Sequence, residues 1–489
     1  MMSTALKMIH RFLPACLIMA FSLTAQGGQP NLVIFYVDDL GYGDLGVYGH
    51  LIVKTPNIDQ LATDGIRYLQ YYAPAPLCSP SRAAMLTGRT PYRTGVRSWI
   101  SPGQDLHIGE NEITIAHLLQ AKGYKTAVMG KLHLNGGAEM ENQPQTDDMG
   151  FDYSFIIPGG WVKNAKIAAP ATGSKLRSGI MYPDNYWRNG EPVGETSKFS
   201  GELVSDEVIH WLNQLDGESP FFLYIPYSEV HTPVASPNRY LEMYSDYISD
   251  SAKQTRDVYY FDRKSLPYRG SGEYYANISF LDEQIGRVIG KLEEMGKSDE
   301  TIIIFTSDNG PVTREYRKPW ELGIAGETAG LRGRKDNLLE GGIRVPAIIK
   351  YPPLIASGQV SNVPVHGVDL LPTLAELLDF EPPSDRELDG QSITATFRGG
   401  KIERDRPLIW TIDLPGEDDP VNEWAIRDGD WKLILDRDEK PKFLFNIAND
   451  PYEMYNRLEQ NDTILASLIR QFVTYRENIE NDAISQARK

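Results

Sequence analysis

The chain has 489 residues, 41% of them hydrophobic, with 66 acidic against 49 basic side chains and a net charge of −17. That length is ample for a large core and for two to four domains. The acidic balance argues against nucleic acid or an anionic membrane surface as partner. It does not exclude a small anionic substrate, because net charge is screened within about 8 to 10 Å at physiological salt and a local cationic pocket can outweigh it.

In chain order, Lys7 and Arg11 precede the apolar run Phe12–Leu23, and Leu23-Thr24-Ala25 offers a small residue for a peptidase. The run is short for a membrane span, so residues 1–26 read as a removable export signal. A lipoprotein reading through Cys16 fits less well, because most of the apolar stretch follows that cysteine. The mature chain is then expected to be periplasmic or secreted, with no transmembrane helix. Cys78 would be its single cysteine, unable to form an internal disulfide.

Asn31–Asp39 is the first of four apolar, β-branched runs that end in polar residues. The others are Thr126–His133, Phe221–Pro226 leading to His231, and Thr301–Asn309. Continuous apolar runs read as strands buried on both faces, as in parallel sheets. Helical patterns lie between them at Ile58–Ile66, Thr114–Lys122, Leu203–Leu212 and Tyr275–Met295. This alternation predicts an α/β fold with a large, mostly parallel sheet, whose ligands gather at the carboxyl ends of the strands. The stretch from Ala235 to Gly270 reads as an irregular, tyrosine-rich insertion. The texture changes near residues 380–405. Beyond it, Leu408–Ile412, Glu423–Arg427, Asp430–Leu435 and Phe443–Phe445 read as a small antiparallel sheet, closed by a helix from about Ile464 to Ile479. The expected domains are 30–385, catalytic, and 400–489, a C-terminal α+β subdomain.

Asp38, Asp39, Asp308 and Asn309 are hard oxygen donors at two strand ends, a set suited to Ca²⁺ or Mg²⁺. Adjacent carboxylates repel one another unless a cation neutralises them; singly, each reads equally as a helix cap. Gly41-Tyr-Gly-Asp-Leu-Gly46 satisfies the dinucleotide fingerprint G-x-G-x-x-G. Asp38, Asp39 and Asp44 would crowd a pyrophosphate with negative charge, so that reading is set aside. Arg82, Lys131, His133, His231 and Lys335 form a cationic set at strand ends or in motif loops. Together they suit the clamping of a tetrahedral anion.

The stretch Cys78-Ser-Pro-Ser-Arg82 through Thr87-Gly-Arg89 closely resembles the signature of type I sulfatases, of the alkaline-phosphatase-like superfamily. Gly130-Lys-Leu-His-Leu134 resembles that family's G-K-W-H-L-G, with Leu132 replacing Trp and Asn135 replacing Gly. Val230-His-Thr-Pro233 and Gly333-Arg-Lys-Asp-Asn-Leu-Leu-Glu-Gly-Gly-Ile-Arg-Val-Pro346 match further motifs, and Val368–Thr373 and Leu388–Gly390 match more loosely.

The resemblance, to bacterial enzymes in particular, implies hydrolysis of sulfate esters. It implies that a formylglycine-generating enzyme oxidises Cys78 to formylglycine (3-oxoalanine). One Ca²⁺ would be held by Asp38, Asp39, Asp308 and Asn309 together with the modified Cys78. By the same analogy the hydrated aldehyde attacks sulfur, His231 with Lys335 protonates the leaving oxygen, and His133 deprotonates the second hydroxyl. Arg82 and Lys131 hold the nucleophile. A phosphomonoesterase or phosphodiesterase of the same superfamily is the alternative, and a non-catalytic carbohydrate-binding relative a third reading. A sulfated carbohydrate is the expected substrate, with Trp161, Tyr186, Trp187 and Trp320 as aromatic candidates for sugar stacking or for the core.

Overall fold

The structure is a computed structural model that describes residues 28–157, 186–194, 196, 198–231, 234, 236–248, 271–313, 325–414 and 423–482. The expected leader, Trp161, Trp320 and most of the Ala235–Gly270 insertion lie outside these residues.

An eleven-stranded sheet is built from β1 (Asn31–Val37), β2 (Ile66–Tyr72), β3 (Lys125–Lys131), β4 (Tyr153–Ile157), β5 (Trp187–Arg188), β6 (Glu191–Pro192), β7 (Phe221–Pro226), β8 (Thr301–Ser307), β9 (Arg344–Lys350), β10 (Gln359–Ser361) and β11 (Val365–His366). Its order is β10-β2-β9-β8-β1-β7-β3-β4-β5-β6, with β11 on β2. The four apolar runs become four consecutive parallel neighbours, β8-β1-β7-β3, at the centre of the sheet. All residues of β1, β7 and β8 are buried, as expected for strands covered by helices on both faces.

The remaining strands of this sheet were not legible in this pattern, β2 and β9 among them. β9 runs antiparallel between β8 and β2, and β2 pairs antiparallel with it. Ile66, the end of a helical pattern in the sequence, opens β2, because the helix before it stops at Asp64 and Gly65. The cores on the two faces of the sheet separate by strand alternation. Val33, Phe35 and Val37 point to one, and Leu32, Ile34 and Tyr36 to the other.

The second sheet is antiparallel, with β12 (Leu408–Thr411), β13 (Trp424–Asp428), β14 (Trp431–Leu435) and β15 (Pro441–Asn446) in that order. One face, with Ile409, Trp424, Ile426 and Leu433, packs on Leu468 and Phe472 of the closing helix Asp462–Glu480. The other, with Trp410, Ala425 and Ile434, packs on Tyr72, Leu77, Leu338 and Ile343. This small sheet therefore rests directly on the residue before Cys78. Among the described residues no helix is long and apolar enough to cross a membrane.

Candidate active site

β1 and β8 pair in register with Val37 opposite Ser307, so Asp38 and Asp39 emerge beside Asp308 and Asn309. On the other side of β7, β3 ends at Lys131, and His133 follows two residues later. Gly130 makes this exit possible: at φ +133° a Cβ would lie 2.0 Å from the Pro226 carbonyl oxygen. β7 leads into Val230 and His231, whose segment is tied back to β1 through Val230 N–H donating to Asp38 O at 2.8 Å.

Cys78 opens the buried helix Cys78–Thr87, which Gly88 terminates in a left-handed conformation. In C-x-P-S-R the cysteine and arginine are four residues apart, one helical turn, and share a face. Arg82 and Cys78 consequently meet the same carboxylate cluster. Arg82 Nη2 lies 3.6 Å from Asp38 Oδ1, and the Cys78 thiol donates to that same oxygen at 3.4 Å. Lys131 Nζ donates to the other oxygen, Asp38 Oδ2. Lys335 Nζ donates to both Asp39 oxygens, at 2.7 and 2.8 Å, and to Cys78 Sγ at 3.6 Å. His231 Nε2 lies 3.7 Å from Asp39 Oδ2. Every catalytic and metal-ligand candidate read from the sequence is in this one cluster or, for His133, beside it.

Three carboxylates face three fixed cations here, all within a buried site. Burial pushes Asp38 up, but Lys131, His231, Arg82 and Lys335 together hold it well below the usual carboxylate range. Asp308 is pushed up to about 7 by burial and by the neighbouring Asp38 charge. Burial also raises the Cys78 thiol, with Asp38 adding to it, so the unmodified side chain is a neutral thiol at pH 7. His231 is lowered to about 4 by burial, then by Lys335 and Lys131.

The residues fit a hard divalent cation. Asn309 Nδ2 donates to Asp39 Oδ1 at 2.7 Å and to the Gly310 carbonyl at 2.8 Å, which fixes the amide's orientation. Its Oδ1 is buried with no hydrogen-bond partner, a costly state for an acceptor unless a cation takes it. Ligand atoms of Asp38, Asp39, Cys78 and His231 lie within 4.8 Å of one another. His231 falls in this group; Asp308 lies next to it, with Oδ2 held by Arg82 and Oδ1 accepting from Asp39 N–H.

Two contributors left no sequence signal. The Ile100 carbonyl accepts from His133 Nε2 at 2.9 Å, so the proton sits on Nε2 and Nδ1 is left as a lone-pair base. That Nδ1 is buried and without a hydrogen-bond partner. Ile100 N–H in turn donates to Ser79 Oγ at 3.2 Å, linking the Cys78 helix to His133. A backbone carbonyl has no identity in a sequence, so neither link was readable. Gly41–Gly46, the dinucleotide-like run, is a tight turn around Asp44. Asp44 Oδ2 accepts from Gly41 N–H at 2.6 Å and from Tyr274 OH at 2.7 Å.

A sulfatase family model matches residues 30–380. The chain belongs to the sulfatase family. A second model, the C-terminal part of N-sulphoglucosamine sulphohydrolase, matches residues 334–478. Arylsulfatase A of Homo sapiens is 31% identical over 487 residues, covering 91% of this chain and 87% of that protein. N-acetylgalactosamine-6-sulfatase of Mus musculus is 32% identical over 408 residues, covering 80% and 71%. The crystal structure of Ps i-CgsB superposes with a TM-score of 0.74 at 26% identity over 91% of this chain and 92% of its own. It has also been solved in complex with k-i-k-neocarrahexaose. This sulfatase is thus an enzyme that hydrolyses sulfate esters, on a mixed, mostly parallel sheet with a separate antiparallel sheet near the C-terminus.

Proposed function

We propose that the enzyme removes sulfate from a sulfated carbohydrate, with Cys78 as the precursor of its nucleophile and Asp38, Asp39, Asp308, Asn309 and the modified Cys78 as the Ca²⁺ site. The observation that carries this reading is the setting of Cys78. A buried thiol in the C-x-P-S-R motif lies 3.4 Å from a carboxylate oxygen and 3.6 Å from Lys335 Nζ. Oxidation by a formylglycine-generating enzyme would turn that thiol into an aldehyde whose hydrate supplies a hydroxyl nucleophile. A bound Ca²⁺ would supply positive charge against the sulfate oxygens.

The chain's own residues account for the rest. Lys131, paired with Asp38, and Lys335, paired with Asp39 and Cys78, offset charge that develops on the transferring group. Arg82, fully buried, keeps the helix bearing Cys78 against Asp308. His133, with its proton fixed on Nε2 by Ile100, offers Nδ1 to take a proton from the nucleophile residue. His231 and Lys335 lie on the Asp39 side, where a leaving oxygen would need a proton. The anionic sulfate offsets the two lysines that help keep His231 neutral, so substrate entry favours its protonated form.

Carbohydrate is supported by relatives named for N-acetylgalactosamine 6-sulfate and by the oligosaccharide complex of Ps i-CgsB. Of the aromatic candidates, Tyr186 is a core residue. It is fully buried and stacks on Phe155 at 4.5 Å, so it meets no sugar. Trp187 is half-buried in β5. We propose further that the N-terminal segment directs export, to a bacterial periplasm or beyond, and that residues 30–385 and 400–489 are the functional units.

The test compares 4-nitrophenyl sulfate, its phosphate analogue and a panel of defined sulfated oligosaccharides. The expected result is turnover of the sulfates, fastest on one oligosaccharide, with inorganic phosphate inhibiting. Faster turnover of the phosphate ester than of every sulfate would instead support the phosphoesterase reading.

A further inference from the structure

Lys432 lies on β14 with its side chain on the same face as Ile434, turned toward the catalytic sheet. It is fully buried between two carboxylates. Its Nζ donates to Glu340 Oε1 at 3.0 Å and to Glu453 Oε1 at 2.9 Å, and both glutamates are also fully buried. Glu340 Oε2 accepts from Tyr72 OH at 2.7 Å and lies 3.5 Å from Arg344. Lys432 and Glu453 come from the C-terminal part, and Glu340 from the motif that carries Lys335.

The bridge grips both feet of one loop. Glu453 Oε2 accepts from Glu340 N–H at 2.7 Å, at the loop's far end. The Glu453 carbonyl accepts from Arg332 Nη1 at 2.8 Å, at its near end. The two feet meet through Gly341 N–H, which donates to Arg332 O at 2.7 Å. At Gly342 a Cβ would lie 2.0 Å from Asn337 O, so the loop closes tightly on its own base. Between the feet, Lys335 N–H donates to Pro311 O and Asp336 N–H to Pro76 O, which brings Lys335 Nζ to Asp39 and Cys78.

A buried ion triad is a poor source of stability, since apolar replacements of similar volume are often neutral. It does impose geometry, and misplacing a group at a reacting centre by about 1 Å can cost about 100-fold in rate. We propose that Lys432 and Glu453 are positioning residues for turnover: from the C-terminal sheet they hold the Glu340 foot of the loop and so set Lys335 against the nucleophile. This rests on the sulfatase reading of Lys335.

The experiment is a double-mutant cycle on the full chain with 4-nitrophenyl sulfate. Wild type is measured first, which establishes the reaction by itself, and each rate is normalised to the formylglycine content found by mass spectrometry. Lys432→Met is expected to lower kcat about tenfold or more, with KM changing less than about threefold. In a Lys335→Ala background the same substitution is expected to cost less than about twofold, because the residue it positions is gone. The charge-balanced pair Lys432→Met with Glu453→Gln guards against misfolding. It is expected to recover the wild-type thermal midpoint while kcat stays low. An equal loss from Lys432→Met in both backgrounds, or full kcat in the balanced pair, overturns the inference and leaves a structural bridge.

Discussion

Arg82 donates from Nε and Nη2 to a single oxygen of Asp308, at 3.0 and 2.6 Å, and both side chains are fully buried. The third guanidinium nitrogen, Nη1, donates to the Lys131 carbonyl at 2.6 Å, so one side chain ties the Cys78 helix to the ends of β8 and β3. Replacing Arg82 with Met strands a buried carboxylate and an unpaired carbonyl. A loss of about 3 to 5 kcal/mol is expected, together with loss of turnover. Denaturant unfolding alongside activity checks this; a change within about 0.5 kcal/mol would contradict a central role for the pair.

Calcium should stabilise the folded chain. At about 100-fold excess over its dissociation constant a single bound ion contributes about 2.7 kcal/mol, seen as a rise in thermal midpoint that chelation reverses. Asp39→Asn is nearly isosteric and should remove most of that rise. An unchanged calcium response in the variant would place the ion elsewhere.

Cys78→Ala should abolish turnover and keep the calcium-induced rise, since the oxygen donors stay in place. In active wild-type protein, mass spectrometry of the peptide containing Cys78 should show the aldehyde or its hydrate. Full activity with only thiol at that position would rule out the proposed nucleophile.

His133→Gln retains an N–H that can donate to Ile100 O and removes the basic nitrogen. Activity is expected to fall about 10²- to 10⁴-fold, the usual span for a lost general base, with the thermal midpoint nearly unchanged. Parallel loss of midpoint and rate would mark His133 as structural instead.

Asp282 supplies a pH signature remote from the active site. It accepts from Ile58 N–H at 2.8 Å and from Asn57 Nδ2 at 2.7 Å, at the start of helix Pro56–Asp64. Burial nevertheless outweighs these donors and pushes its carboxyl up to about 6. A carboxyl raised in the folded state contributes stability that is present below its unfolded pKa and lost as pH rises through the folded one. Between about pH 4 and 7 the wild type should therefore lose up to about 3 kcal/mol relative to Asp282→Asn. Unfolding midpoints of the two proteins across that range read the difference; parallel curves would refute the assignment.

The four apolar runs ending in Asp39, His133, His231 and Asn309 were legible because a strand buried on both faces leaves a continuous apolar trace, and its polar terminus marks the ligand end. The motifs around Cys78 and Lys335 were legible for a related reason: chemistry requires particular side chains at fixed local spacing. What tertiary structure alone decided was adjacency. The order β8-β1-β7-β3 and the register of Val37 with Ser307 bring Asp38 beside Asp308 across 270 positions of chain. The reversal of β9 between β8 and β2 was missed because strand direction leaves no mark on composition. The Ile100 carbonyl that sets His133, and the Lys432–Glu340 bridge that grips the Lys335 loop, depend on backbone atoms and on packing between distant elements. A one-dimensional pattern records which groups are present, and only the folded chain settles which of them touch.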